Sequence, residues 1–171
     1  MKYFEALGLE PSLALDAEDL KKRFYERSRQ WHPDRFSRSS PAEQAKALEM
    51  TSVLNDAFRT LRNPVARAEY FLRESGVEVS TKAPPELLEE VFELNMALEE
   101  LRGGDESARP QLEAAEVRFR AMLAESDRGL EGLFARPQPP LEELRQVLNR
   151  RKYVSNLIRD VEKELHVHVP N

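Results

Sequence analysis

The stretch Trp31-His32-Pro33-Asp34-Arg35 lies between two long segments whose apolar residues recur at helical spacing. Proline cannot continue a helix, and it disfavours the helical conformation of the residue before it, so the first helix must end here. This places an imidazole, a rigid ring and a carboxylate on a loop between two helices. Side chains this polar add little to a core, and the loop therefore indicates a functional contact.

The two flanking segments predict an antiparallel helical hairpin with this loop at its tip. The first follows Asp16, a typical N-cap residue, and presents Leu20, Phe24 and Trp31 on one side. The second begins with Ser40-Pro41-Ala42-Glu43, which combines a serine cap, proline at the first helical position and glutamate at the third. Helices joined by so short a connection are antiparallel neighbours.

The first helix and the loop are basic, although the chain as a whole is acidic. Seven basic residues stand against two acidic ones between positions 21 and 38, a local charge of +5 in a chain of net charge −5. A solvated helix face would account for this charge, but the positive run leads directly into the loop. We therefore expect a docking surface for an acidic partner.

Composition predicts an all-α protein and argues against an enzyme or a metalloprotein. Apolar residues recur at three- and four-residue steps almost throughout, and glycine is scarce. The absence of cysteine excludes disulfides, a thiol nucleophile and thiolate metal ligands. With three histidines and no recognisable nucleophile or phosphate-binding loop, we expect no catalytic residues, no metal and no cofactor.

The chain also lacks signals for secretion or membrane insertion. Its start has neither a basic segment nor a long apolar run, and no stretch approaches the length of a membrane span. The negative net charge argues against general binding of nucleic acid. These features predict a cytoplasmic protein with no membrane and no nucleic-acid partner.

A proline-containing linker predicts a division into two domains. We place the first domain at 1–76, the linker at 77–85 and a three-helix bundle at 86–171, with helices near 86–101, 107–126 and 141–165. The first of these helices has an apolar seam that steps by four and three residues, formed by Leu87, Val91, Leu94, Leu98 and Leu101.

The same helix carries a second apolar line. At about 100° per residue, Leu88, Phe92 and Met96 centre roughly 140° away from the seam. Six glutamates and no basic residue precede Arg102 in this helix. An apolar strip with a charged rim is typical of a partner-binding surface. The alternative is that the last helix or the first domain buries these three side chains.

The first domain resembles a J domain, which is a helical hairpin with His-Pro-Asp at its tip, together with short helices. The match extends beyond the tripeptide to Leu54, Ala57, Phe58, Leu61, Asn63-Pro64, Arg67-Ala68 and Tyr70. Phe58 and Asn63 replace the usual tyrosine and aspartate. A J domain followed by a small acidic helical bundle resembles the HscB family of co-chaperones for iron–sulfur cluster assembly.

This resemblance implies two partners. One is a DnaK/HscA-class ATPase chaperone, docked and stimulated through His32, Pro33 and Asp34, with Lys21, Lys22, Tyr25, Arg29 and Arg35 as supporting surface. The other is an IscU-type iron–sulfur scaffold protein, bound through Leu88, Phe92, Glu93, Met96, Glu100 and Tyr153. Glu89 and Met96 depart from the family pattern, which has an apolar residue and an acid there. The alternative is a J-domain co-chaperone for a different client.

Overall fold

The computed structural model describes residues 1–80, 82–136 and 138–166, and within them the chain forms helices, turns and no strand. The α-helices are α1 Lys2–Ala6, α2 Ala17–Gln30, α3 Pro41–Leu61, α4 Pro64–Glu74, α5 Leu88–Arg102, α6 Arg109–Phe134 and α7 Leu141–His166. Short 3-10 turns cover Pro33–Phe36, Pro85–Leu87 and Glu106–Ala108. The prediction of an all-α protein, with a J-domain hairpin followed by a three-helix bundle, is confirmed.

The chain divides into two compact units. The first comprises Met1–Glu78 and Phe134–Leu141, and the second comprises Val79–Leu133 and Glu142–Asn171. The boundaries proposed from sequence remain predictions. Within them, Thr81 of the linker and Pro137 and residues 167–171 of the bundle lie outside the described residues.

Helices α2 and α3 form the hairpin of the first unit. The Asp16 carboxylate accepts hydrogen bonds from two backbone amides in the first turn of α2, and Ser40 and Glu43 form a reciprocal capping box on α3. Phe24 and Phe58 stack at 4.3 Å between ring centroids and join the middle of α2 to the last turn of α3. The connecting loop stands at the tip of this hairpin, and each of the two helices begins at a side-chain cap.

Helices α1 and α4 complete the first unit. Phe4 and Leu7 are fully buried, and Gly8 ends α1 with a φ of +65°, a conformation that favours glycine. The backbone N–H of Tyr3 donates to the Tyr70 hydroxyl at 3.0 Å, and the two rings stack at 4.6 Å. Burial raises the pKa of Tyr70, which keeps its hydroxyl neutral. These contacts anchor the chain start against α4.

The second unit is an up-down-up bundle of α5, α6 and α7. The pairs Glu86–Arg150, at 3.0 Å, and Arg102–Glu164, at 2.7 Å, show that α5 and α7 are parallel. The helices enclose a core of leucines and other apolar side chains, among them Leu94, Leu98, Leu101, Leu112, Phe119, Val154, Ile158 and Val161.

Helix α6 is longer than the sequence predicts. It runs to Phe134, whereas the predicted segment ends near position 126. Gly129 and Gly132 weaken the helical signal beyond that point. Leu130 and Leu133 are nevertheless buried on the inner face of α6, so packing extends the helix past the point where propensity favours an end.

Candidate functional site

The His-Pro-Asp loop is a compact turn set on the end of α2. The backbone N–H of Trp31 donates to the Arg27 carbonyl at 3.1 Å and closes the helix. Pro33 then opens the 3-10 turn Pro33–Phe36, in which the Arg35 N–H donates to the His32 carbonyl at 2.9 Å. The tripeptide therefore has a defined backbone before any partner binds.

The side chains of His32 and Asp34 are arranged for contact with another molecule. The Asp34 backbone N–H donates to His32 Nδ1 at 3.2 Å. The Asp34 carboxylate lies 3.6 Å from the same nitrogen and is 93% exposed. Because the carboxylate is almost fully exposed to water, it is available to a basic group of a partner.

Basic and aromatic side chains surround this tripeptide. A shallow depression is lined by Tyr25, Ser28, Arg29, His32 and Arg35. The ring of Tyr25 is half exposed, and the ammonium of a residue one turn earlier, Lys21, lies 5.9 Å from its centre. A surface of this kind combines positive charge with one exposed ring, which suits an acidic protein surface.

The second apolar line of α5 is exposed. Leu88, Phe92 and Met96 are 56%, 66% and 51% exposed, although Leu94 and Leu98 of the same helix are buried. They are three of the six exposed large hydrophobic side chains in the described part of the chain. The prediction that they lie outside the bundle core is confirmed, and the last helix does not bury them. We call these three residues the α5 strip.

Carboxylates border the α5 strip. Phe92 and Met96 line a shallow depression together with Asn95, Glu99 and Glu100. Within the described part of the chain, the carboxylates of Glu89, Glu93 and Glu100 form no ion pair with a basic side chain. An apolar surface with a free acidic rim fits a partner that combines apolar and basic side chains.

Two family models match this chain, one on each side of the predicted linker. A DnaJ domain matches residues 2–70, and an HSCB C-terminal oligomerisation domain matches residues 83–162. A Vibrio vulnificus protein named "Co-chaperone protein HscB homolog" is 31% identical over 166 residues, which is 95% of this chain and 95% of that protein. The chain belongs to the HscB family of J-domain co-chaperones.

Solved structures agree with this assignment to the HscB family. "Chaperone HscB from Vibrio cholerae" is 29% identical, covers 95% of this chain and 96% of its own, and superposes with a TM-score of 0.63. The "Crystal structure of human co-chaperone protein HscB" shares the fold, with a TM-score of 0.59 at 24% identity, covering 97% of this chain and 83% of its own. The relatives are named co-chaperones, and this chain is a co-chaperone of their family.

The structure brings together most of the site residues that the HscB resemblance implied. His32, Pro33 and Asp34 form the turn, and Tyr25, Arg29 and Arg35 lie beside it. Lys22 is exposed on α2 without a described contact to them. Leu88, Phe92, Glu93, Met96 and Glu100 are all exposed on α5. Their roles in binding remain predictions.

Tyr153 lies on α7, whereas the other residues assigned to scaffold binding lie on α5. It packs partly buried against the bundle core from α7. Its exposed edge lines a separate small depression with Ser80, Asn149, Lys152 and Asn156. The depression at Phe92 and Met96, in contrast, is lined by residues of α5 alone.

Sequence reasoning missed Ser28 and Asn95, which line the two depressions. Ser28 stands three residues after Tyr25 and four before His32, and Asn95 stands three after Phe92. Residues three and four apart are neighbours on a helix surface, so helical spacing contains the signal. Neither residue type stands out by itself, because serine and asparagine are common on exposed helix faces.

Within the described residues, no helix is both long and apolar enough to cross a bilayer.

Proposed function

We propose that this HscB-family co-chaperone binds an IscU-type iron–sulfur scaffold protein through its C-terminal bundle and stimulates a DnaK/HscA-class chaperone through its His-Pro-Asp loop. The observation that carries the proposal is that one chain exposes both the Asp34 carboxylate on an ordered loop and the α5 strip. The loop acts on the chaperone and the strip holds the client.

The chaperone contact begins with charge. The basic residues of α2 and the loop attract an acidic surface of the ATPase and orient the approach. The exposed Asp34 carboxylate then pairs with a basic group of the chaperone. Because the 3-10 turn is already formed, little conformational entropy is lost when the loop docks. ATP hydrolysis takes place in the chaperone, and Asp34 acts there as a conformational trigger.

The client contact is apolar at its centre. Burial of Leu88, Phe92 and Met96 against a scaffold protein supplies the main driving force, since each side chain is at least half exposed in the free protein. The flexible thioether of Met96 adapts to the shape of the partner. The free carboxylates at the rim select a scaffold surface with basic residues.

The co-chaperone then acts by tethering. A scaffold bound to the second unit and a chaperone bound to the first are held on one chain. Their effective concentration toward each other rises, and the chaperone captures the scaffold at concentrations where direct binding is weak.

Two measurements test the proposal. In a single-turnover ATPase assay, we expect the chain to accelerate a DnaK/HscA-class chaperone, His32→Gln to abolish the acceleration, and His166→Gln to retain it. His166 is the matched control because it is an exposed histidine at the end of α7. Undiminished stimulation by His32→Gln would contradict the assignment of the loop.

The second measurement concerns the client. Immobilised full-length chain should retain an IscU-type scaffold, and retention should fall when Leu88, Phe92 and Met96 are replaced by alanine. If the chain stimulates the chaperone but retains a different protein through the same strip, the alternative of a J-domain co-chaperone for another client is correct.

A further inference from the structure

The His-Pro-Asp loop is held by side chains that lie outside the tripeptide and outside its basic surroundings. The ring of Trp31, two residues before the turn, and the ring of Phe36, the last residue of the turn, stack with planes 6° apart and centroids 5.8 Å apart. This geometry falls within the range of favourable aromatic pairs. The stack therefore connects the start of the loop to the end of the turn.

Helix α3 holds the same loop at both ends. At the start of the loop, the Lys46 ammonium lies 5.5 Å from the centre of the Trp31 ring, and the Thr51 hydroxyl is 3.2 Å from the Trp31 carbonyl. At the other end, Gln44 Nε2 donates to the carbonyls of Ser37 and Ser39 at 3.2 and 3.3 Å. The amide has two N–H groups, one for each carbonyl.

Phe36 and Gln44 are not required by the core of the first unit. Trp31 packs against the hydrophobic cluster that includes Leu20 and Leu54, whereas Phe36 does not belong to that cluster. Gln44 is exposed. Their contacts within the first unit, as far as the structure describes them, serve the loop.

We infer that Phe36 and Gln44 are positioning residues, which hold the His-Pro-Asp loop in its docking conformation through the Trp31–Phe36 stack and the Gln44 hydrogen bonds. The inference rests on the proposed function, because it assigns these residues to chaperone docking. A loop that is already ordered loses little entropy on binding, and one that must be ordered binds more weakly. Loss of either restraint should therefore raise the concentration needed for stimulation and leave the maximal stimulation unchanged.

The order of the loop can be measured without a chaperone. Trp31 is the only tryptophan of the chain, so its fluorescence reports on the loop directly. We expect Phe36→Leu and Gln44→Met to increase acrylamide quenching of Trp31 and to accelerate exchange of the Asp34, Arg35 and Ser39 amides, which are hydrogen-bonded in the loop. Phe36→Tyr preserves the stack and should behave like the parent chain. Asn55→Ala, at an exposed amide on α3 away from the loop, is the matched control.

Stimulation of the chaperone is then titrated for each variant. We expect Phe36→Leu and Gln44→Met to raise the half-maximal concentration about tenfold, since ordering even one backbone residue on binding has a cost of this size. The maximal rate of ATP hydrolysis should stay within about twofold of the rate with the parent chain. A variant that lacks the Asp34 carboxylate should instead lower this maximal rate. If Phe36 and Gln44 had a purely structural role, the variants would have a lower melting temperature and lower helicity. We expect both quantities to stay at the values of the parent chain.

Three results would overturn the inference. The first is unchanged quenching and amide exchange in both variants, because the stack and the Gln44 hydrogen bonds would then not order the loop. The second is increased loop motion with an unchanged half-maximal concentration. The third is a raised half-maximal concentration without increased motion, which would make Phe36 or Gln44 a direct contact of the chaperone. If the parent chain gave no stimulation, the proposed function would fail, while the fluorescence and exchange data would still test the loop restraints.

Discussion

The His-Pro-Asp loop and the α5 strip are both exposed, but they are held in opposite ways. The loop lies between helices, and its shape depends on hydrogen bonds, a ring stack and contacts from α3. The strip lies on a regular helix whose other face is packed into the core, so Leu88, Phe92 and Met96 need no support of their own. The charged group of the loop must be held in a precise conformation to meet its partner. An apolar binding surface needs only to be exposed on a rigid helix.

The difference predicts two kinds of vulnerability. A single charge lost from the loop removes a specific interaction and leaves the fold intact. A single side chain lost from the strip removes only a share of the apolar contact, which its neighbours also supply. The experiments below use this contrast.

The largest effect of a single substitution on function is expected from Asp34→Asn. The substitution keeps the shape of the side chain and removes its charge, so chaperone stimulation should fall by about a hundredfold or more, as expected when a charged contact is lost at a trigger. Asp34 is almost fully exposed, and the melting temperature should not change. Binding of the scaffold, measured by calorimetry, should match that of the parent chain.

Asp34→Glu is the informative control, because it keeps the charge but displaces it by one methylene. Partial recovery would show that both charge and position matter. Full stimulation by Asp34→Asn would mean that the carboxylate is not the trigger.

The next effect concerns the strip. Replacing Leu88, Phe92 and Met96 together by alanine should weaken scaffold binding about a thousandfold, or about 4 kcal/mol, if each side chain is largely buried in the complex. Helicity by circular dichroism should be retained, since the three side chains are exposed. Stimulation of the chaperone in the absence of scaffold should also be retained.

Leu48→Ala combined with Val117→Ala provides the control for loss of exposed apolar surface, because these side chains are 61% and 69% exposed and lie outside α5. Equal loss of scaffold binding in this control would mean that general hydrophobicity, and not the strip, holds the scaffold.

The third prediction compares the two faces of α5. Leu94 is 3% exposed and belongs to the bundle core, so Leu94→Ala should lower the free energy of unfolding by about 3 kcal/mol. Leu88→Ala, six residues earlier on the exposed face, should change it by less than about 0.5 kcal/mol. Urea denaturation of both variants measures the difference. Similar losses would show that Leu88 is part of the core.

Much of this arrangement could be predicted from the sequence because it depends on local signals. Proline at position 33 and the caps at Asp16 and Ser40 place the loop between two helices without knowledge of the packing. The α5 strip follows from helical period alone, since Leu88 and Phe92 cannot share a face with Leu94.

The remaining features depend on contacts that local patterns do not encode. Gln44 reaches the carbonyls of Ser37 and Ser39 only because of the path that the loop takes, and no residue type marks such a contact in advance. Tyr153 illustrates the same limit. Its assignment to scaffold binding followed the family pattern and remains a prediction, and its partly buried position depends on how α7 is rotated in the bundle.

The smallest effect is expected from salt, and it should differ between the two sites. The approach to the chaperone depends on exposed basic residues, and attraction between exposed charges is screened over about 8 Å at physiological ionic strength. Raising the salt from about 0.05 to about 0.3 M should therefore raise the half-maximal concentration for stimulation several-fold, by about 1 kcal/mol.

Scaffold binding should respond less, because its centre is the apolar α5 strip and salt does not weaken burial of apolar surface. Only the carboxylates of its rim, such as Glu93 and Glu100, should contribute a salt dependence. Titration of both activities over the same salt series, with Lys22→Gln and Glu93→Gln as charge-neutralising variants, measures the two slopes. Each variant should flatten the slope of its own site and leave the other unchanged. A steeper slope for the scaffold than for the chaperone would show that the rim carboxylates, and not the apolar strip, dominate client binding.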